Sequence, residues 1–176
     1  VYYGGRAWVN ALAKKGFVVL VHDTFLWGSR KFPWEIVSEQ TDVENPKLEC
    51  TIEEYNQAAG NHEHTVEKYC NLLVTTLAGV VSHEDRIALN YLLSREEVNT
   101  EKVACMGLSG GGNRSCLLTA THGGLSAAVV VGLMSTYEGL LDHNTSTHTW
   151  MLFPSGWSKH GDWPDIAACR APRPRS

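Results

Sequence analysis

The stretch from Val103 to Arg114, VACMGLSGGGNR, decides how this chain folds. It opens with four apolar residues, Val103–Met106, a pattern typical of a buried strand. A glycine-rich turn follows, and the segment from Asn113 to Thr121 is predicted to be a helix that Gly123 and Gly124 close. The stretch therefore predicts a strand, a sharp turn and a helix in direct succession.

A serine lies in that turn, within the pentapeptide Gly107-Leu108-Ser109-Gly110-Gly111, which fits the pattern G-x-S-x-G. A serine hydroxyl is a weak nucleophile that must stand clear of the backbone to meet a histidine base, and a strained strand-to-helix turn lifts it there. Crowding at such a turn predicts no room for a side chain at Gly107 or Gly111. We interpret Ser109 as the candidate nucleophile and the N–H of Gly110 as the donor to a developing oxyanion.

Two further apolar runs, Phe17–Val21 and Ala127–Val131, are rich in β-branched residues. The first predicts a strand buried on both faces, as in a parallel sheet, and the second predicts a further buried strand. A helix is expected before the first run, over Arg6–Lys15, and others between the strands. The order helix, strand, helices, strand, helix, strand predicts parallel βαβ units.

Residues 31–80 interrupt this alternation and are predicted to form a helical excursion from the sheet. Thr51 and Glu54 fit a capping box, which predicts a helix that runs past Ala78 with a break near Gly60.

Two more helices are predicted from capping residues. Ser82 with Asp85 predicts the start of a helix that reaches Leu93, and Pro164 predicts the start of a short helix that ends near Cys169.

Composition limits the classes of function. The chain has 176 residues, 43% hydrophobic and 19% charged, which is typical of one globular domain. A net charge of -4 argues against a nucleic-acid partner, although Arg170, Arg173 and Arg175 cluster near the end. No apolar run approaches the roughly 20 residues of a membrane span. The five cysteines are odd in number and irregularly spaced, which favours reduced thiols and a cytoplasmic protein.

A metal site is not predicted. The triplet His62-Glu63-His64 does not form H-E-x-x-H, and residues two apart on a helix point to different faces. We expect these three residues to form a solvated helix face.

The stretch VACMGLSGGGNR resembles the nucleophile elbow of α/β-hydrolases of the acetyl xylan esterase and dienelactone hydrolase-like group. Three further segments are similar to that group: LVHDTFLWGSR (Leu20–Arg30), VVVGLMSTY (Val129–Tyr137) and PDIAACRAPRP (Pro164–Pro174). The resemblance implies the α/β-hydrolase fold, a parallel sheet with flanking helices. It also implies hydrolysis of a small-molecule carboxylic ester through an acyl-enzyme. Acetyl esters of carbohydrates are possible substrates under this resemblance, and no cofactor is expected. Dienelactone hydrolases carry cysteine where this chain has Ser109, which favours a serine esterase.

The same resemblance implies that the triad is not complete within the chain. The triad order in this fold is serine, acid, histidine, so the acid and base are expected beyond Ser176. The second oxyanion donor is expected before Val1. Residues 1–176 are then one partial domain whose sheet is incomplete at both ends, and the chain alone is expected to be inactive.

An internal triad is the alternative. Its acid would be Glu138 or Asp142, and its base would be His148 or His160. Geometry decides between these assignments, and sequence does not supply it.

Two aromatic residues, Phe25 and Trp27, follow a predicted strand on the edge where ligands bind in parallel sheets. They are candidates to wall the acyl or alcohol pocket, and packing in the core is the equal alternative. A second hypothesis of function is a non-catalytic fragment or pseudo-enzyme that keeps the scaffold without a triad. The sequence does not predict an oligomeric state.

Overall fold

A computed structural model describes residues 5–39, 50–143, 145–146 and 148–171. In chain order the elements are α1 (Trp8–Ala13), α2 (Trp34–Ser38), α3 (Ile52–Leu72), α4 (Leu77–Leu93), β1 (Ala104–Leu108), α5 (Gly110–Thr121), β2 (Ala127–Val131), α6 (Tyr137–His143) and α7 (Trp163–Ala168). Residues 40–49 of the predicted excursion, and Arg173 and Arg175 of the basic cluster, lie outside the described residues. None of the described helices combines the length and the apolar character that a membrane span requires.

A two-stranded parallel sheet is the centre of the described fold. β1 pairs with β2 in a register that runs from Ala104 opposite Ala127 to Leu108 opposite Val131. Helix α5 connects the two strands and packs against both. The described chain is thus a mixed helix and strand fold with a small parallel sheet and flanking helices. The βαβ unit predicted around the glycine-rich turn is confirmed, and α5 begins at Gly110 rather than Asn113.

The strand predicted at Phe17–Val21 is wrong, because the described structure contains no strand there. Its side chains are exposed apart from the half-buried Val19, and Phe17 is 62% exposed. A strand needs a neighbour that satisfies its backbone N–H and C=O groups, and no described segment pairs with this one. Apolar content alone could not reveal that missing neighbour. The full sheet of an α/β-hydrolase is therefore not seen.

One face of the sheet carries the packing. Cys105 and Val130 turn towards the flanking elements and are half-buried, whereas the alternating residues on the opposite face are exposed: Met106, Leu108, Val129 and Val131. Successive strand residues point to opposite faces, so this alternation follows from one covered face. β1 and β2, which the sequence predicts as buried strands, are thus covered on one face only.

The helical excursion begins as the sequence predicts. The Thr51 side chain accepts from the Glu54 N–H at 3.2 Å, and Glu54 Oε2 accepts from the Thr51 N–H at 2.8 Å. The helix then passes through Gly60 without a break and ends at Leu72. The predicted break is wrong, since a single exposed glycine weakens a helix by only about 1 kcal/mol.

The next helix starts earlier than predicted. Val74 adopts a positive φ of 60°, and Thr76 caps α4 by accepting from the Gly79 N–H at 3.0 Å. Ser82 and Asp85 therefore lie inside α4 rather than at its start, which overturns the second predicted cap. A threonine six residues upstream supplies the same kind of cap.

Asp85 instead forms the ionic contact between α4 and α5. It is 5% exposed, and its two oxygens accept from Arg114 Nε at 3.2 and 3.0 Å. His22 Nε2 lies 2.8 Å from Asp85 Oδ1, and Arg114 also donates to the Thr24 hydroxyl. One carboxylate thereby joins the segment after the first apolar run to both helices.

We expect Asp85→Ala to lower the free energy of unfolding by about 2 kcal/mol or more, because it leaves Arg114 with an unpaired, largely buried charge. Glu84→Ala on the same helix is the matched control, since its partner Arg30 is well exposed and such pairs contribute roughly 0–1 kcal/mol. Urea denaturation of both variants measures the difference. Equal losses would show that the Asp85 contact does not stabilise the fold.

Candidate functional site

Ser109 lies at the junction of β1 and α5 with φ 54° and ψ -117°. This region is sparsely populated by residues other than glycine, and holding a residue in such a conformation costs on the order of 1–3 kcal/mol. Neighbouring backbone holds it: the Ser109 N–H donates to Val131 O at 2.8 Å, and Ser109 O accepts from the Asn113 N–H at 3.0 Å. The side chain is exposed, and within the described residues its hydroxyl makes no hydrogen bond.

The glycine requirement holds on one side of the serine. A Cβ added to Gly107 would lie 2.0 Å from the backbone oxygen of Gly111, so no side chain fits at Gly107. A Cβ added to Gly111 would meet no atom within 4 Å, so the predicted crowding is wrong at that position. Gly111 contributes to the crowding through its backbone instead.

Gly112 is a crowded position that the motif did not identify. A Cβ there would lie 2.9 Å from Val131 O and 3.3 Å from Leu133 Cβ. The residue faces β2 because it lies one residue further along the first turn of α5. The sequence offered one signal, the unbroken glycine run, but the G-x-S-x-G pattern does not reach this position.

An open cleft of about 390 Å³ adjoins the serine. It is lined by Ser109, Gly110, Gly132, Leu133, Met134, Ser135, Leu140, His148, Thr149 and Leu152. Gly110 is the first residue of α5, so the helix leaves its N–H without an intrahelical acceptor. The exposed hydroxyl of Ser109 and this N–H therefore border the same space.

The four candidate triad partners separate in the structure. His148 lines the cleft, whereas Glu138, Asp142 and His160 are exposed and do not line it. Within the described residues, no hydrogen bond joins Ser109 to a histidine or His148 to a carboxylate. The described residues thus bring one candidate histidine to the serine without an acid.

The two aromatic pocket candidates pack away from the cleft lining. Phe25 contacts Phe32 edge to face, with ring centroids 5.4 Å apart, and Trp27 packs against the buried residues of two apolar clusters. Neither borders the cleft beside Ser109. A role in binding the acyl or alcohol group stays a prediction.

The prediction that His62, Glu63 and His64 form a solvated helix face is wrong for His62 and Glu63, whereas His64 is exposed. His62 and Glu63 are each 6% exposed, and His62 packs edge to face on Phe32. Burial lowers the pKa of His62 and raises the pKa of Glu63. The sequence hid this arrangement because Phe32, which packs on His62, lies 30 residues upstream, and the element that covers Glu63 lies more than 80 residues downstream.

That covering element is the turn Trp150–Leu152, with Thr149 before it. Glu63 accepts from the Thr149 hydroxyl at 2.6 Å and from the Trp150 N–H at 3.3 Å. These two bonds favour the charged carboxylate and oppose the effect of burial on its pKa. His64 Nδ1 accepts from the Trp150 indole N–H at 2.8 Å. The triplet therefore supports one wall of the cleft.

The described part of the chain contains no cluster of three or more histidine, cysteine, aspartate or glutamate side chains placed to hold a metal ion. All five cysteines are free thiols.

The site is a serine held at positive φ between a strand and a helix, beside an open cleft. Comparisons of the chain with protein families, with curated proteins and with solved structures found no match.

We expect Gly107→Ala and Gly111→Ala to differ sharply. The new Cβ at Gly107 collides with the backbone of Gly111. The free energy of unfolding of Gly107→Ala should therefore be lower than that of the wild type by more than about 2 kcal/mol. Gly111→Ala should be neutral or stabilising, because alanine stabilises a helix relative to glycine by up to about 1 kcal/mol. Chemical denaturation measures both, and similar losses would contradict this geometry.

Proposed function

We propose that this protein is a serine-dependent carboxylic ester hydrolase built on the α/β-hydrolase scaffold, with Ser109 as its nucleophile. The observation that supports this most strongly is the backbone of Ser109, which occupies a strained positive-φ conformation between β1 and α5. Strain of this kind concentrates at functional sites, where the surrounding structure holds it. In G-x-S-x-G hydrolases the strained turn exposes the nucleophile at the end of the sheet.

The proposed reaction has two halves. A general base takes the Ser109 proton as Oγ attacks the ester carbonyl carbon, and the carbonyl oxygen becomes an oxyanion that the Gly110 N–H stabilises. The C–O bond then breaks, and the alcohol leaves with the proton from the base. Water attacks the acyl-enzyme in the same way and releases the carboxylic acid, which restores the Ser109 hydroxyl. No cofactor takes part in this scheme.

His148 is proposed as a substrate contact rather than as the base. It lines the cleft, but within the described residues no carboxylate is hydrogen-bonded to it, and a triad base needs an orienting acid. This proposal therefore assigns neither the base nor its orienting acid to a described residue.

The cleft fits an uncharged ester with a short acyl group. Leu133, which follows β2, and Leu140 of α6 are apolar residues of its lining, and Ser135 and Thr149 are polar residues of the same lining. No lysine, arginine, aspartate or glutamate is among its described lining residues. Acetyl esters of carbohydrates satisfy this description, and we propose them as the first substrates to test.

A non-catalytic scaffold is the competing proposal. It is favoured by the lack of a serine–histidine hydrogen bond among the described residues. The two proposals differ in whether Ser109 reacts with an electrophile that labels activated serines.

In the full-length protein, Ser109 should be the residue that a fluorophosphonate probe labels. Ser109→Ala should remove labelling and lower the rate of p-nitrophenyl acetate hydrolysis by roughly a thousandfold or more. Ser115→Ala, six residues downstream on α5, is the matched control: its side chain is buried, so labelling and rate should persist. Mass spectrometry of the labelled peptide assigns the site. Labelling that survives in Ser109→Ala, or a wild type that is never labelled, would support the scaffold proposal.

His148→Ala should raise KM for p-nitrophenyl acetate and leave fluorophosphonate labelling of Ser109 in place, because a lining residue contacts the substrate without taking the proton. His160→Ala is the control, since His160 is exposed and does not line the cleft. Steady-state kinetics separate kcat from KM. A fall in kcat as large as that of Ser109→Ala would make His148 the base.

A further inference from the structure

One wall of the cleft is a short turn that no strand of the sheet supports. Thr149 and Leu152 of this turn line the cleft, together with His148 just before it. The Thr149 hydroxyl accepts from the Met151 N–H at 3.3 Å and caps the turn. The position of this wall therefore depends on side-chain contacts with other elements.

Three elements hold the wall by hydrogen bonds. Asn113 on α5 donates to Met151 O at 3.3 Å, and the indole of Trp163 on α7 donates to Leu152 O at 3.1 Å. From α3, Glu63 accepts from Thr149 and from the backbone of Trp150. Of these three groups only Glu63 is a carboxylate, and hydrogen bonds to charged groups are roughly twice as strong as neutral ones.

Glu63 directs its carboxylate at the wall and not at its own helix. Both of its hydrogen bonds cross from α3 to residues 86 and 87 positions downstream, and the residue is 6% exposed. A buried carboxylate is costly unless its oxygens are satisfied, so this residue and the wall fix one another.

We propose that this wall sets the length of acyl chain that the cleft accepts, and that Glu63 is the positioning residue that holds it. The inference rests on the proposed esterase function of the same cleft. Leu152 lines the cleft and packs in one apolar cluster with Leu133 and Leu140, so a fixed Leu152 limits the apolar space beside Ser109. Loss of the Glu63 contacts frees the wall to move and admits longer acyl chains.

Glu67 provides a matched control one turn further along α3. It is 1% exposed, and burial raises its pKa as it does for Glu63. Its carboxylate accepts from the Leu77 N–H at 2.7 Å, at the start of α4, and makes no hydrogen bond to the wall within the described residues. Substitution of Glu67 therefore reports the cost of losing a buried α3 carboxylate away from the cleft.

The experiment measures kcat/KM of the full-length protein for p-nitrophenyl acetate and p-nitrophenyl octanoate. The wild type should prefer acetate, and Glu63→Ala should reduce the acetate-to-octanoate ratio about tenfold, mainly by lowering KM for octanoate. Thr149→Val, which removes the hydroxyl that donates to Glu63, should reduce the ratio in the same direction, and Thr149→Ser should restore it. Glu67→Gln should leave the ratio unchanged.

The possible failures are distinguishable. If the wild type shows no turnover that depends on Ser109, the proposed function fails and this inference falls with it. If turnover depends on Ser109 but the ratio is the same in wild type, Glu63→Ala and Thr149→Val, the inference alone is overturned. A ratio that falls equally in Glu67→Gln overturns it as well, because the effect is then one of general destabilisation. If Glu63→Ala does not fold, the acetate-to-octanoate ratios of Thr149→Val and Thr149→Ser test the inference instead.

Discussion

The hydrogen bond from the Ser109 N–H to Val131 O connects the strained turn to the end of the sheet, and the candidate site depends on it. It extends the pairing of β1 and β2 by one residue, at the point where β1 gives way to α5. The chain can then leave the sheet at positive φ without losing a backbone partner. Gly107 completes this arrangement, because only a residue without a side chain lets the backbone of Gly111 approach so closely.

Polar contacts from distant parts of the chain then place α5 and the cleft. Asp85 on α4 holds Arg114 of α5 and approaches His22, while Asn113 and Glu63 hold the turn that walls the cleft. Apolar packing supplies most of the stability of such a fold, yet it is not directional. Hydrogen bonds to buried carboxylates fix position, since a displaced partner leaves a buried charge unsatisfied. The arrangement suits a site whose serine and walls come from different segments.

Residues that are close in sequence were predictable where local geometry decides the outcome. The capping box of Thr51 and Glu54 and the turn at Ser109 each depend on residues within a few positions of one another. The segment Phe17–Val21 shows the limit of such reasoning. Its composition is that of a strand, but a strand exists only beside a partner, and the described residues do not supply one.

The sequence by itself determined the strand, turn and helix around Ser109, because glycine spacing and apolar runs act over a few residues. Only the tertiary structure decided that Gly112 rather than Gly111 lacks room for a side chain, and that Glu63 is buried against a turn far along the chain. It also placed His148, and not His160, on the cleft. The physical reason is that burial, crowding and cross-chain hydrogen bonds depend on which segments meet, and neither periodicity nor a local motif carries that information.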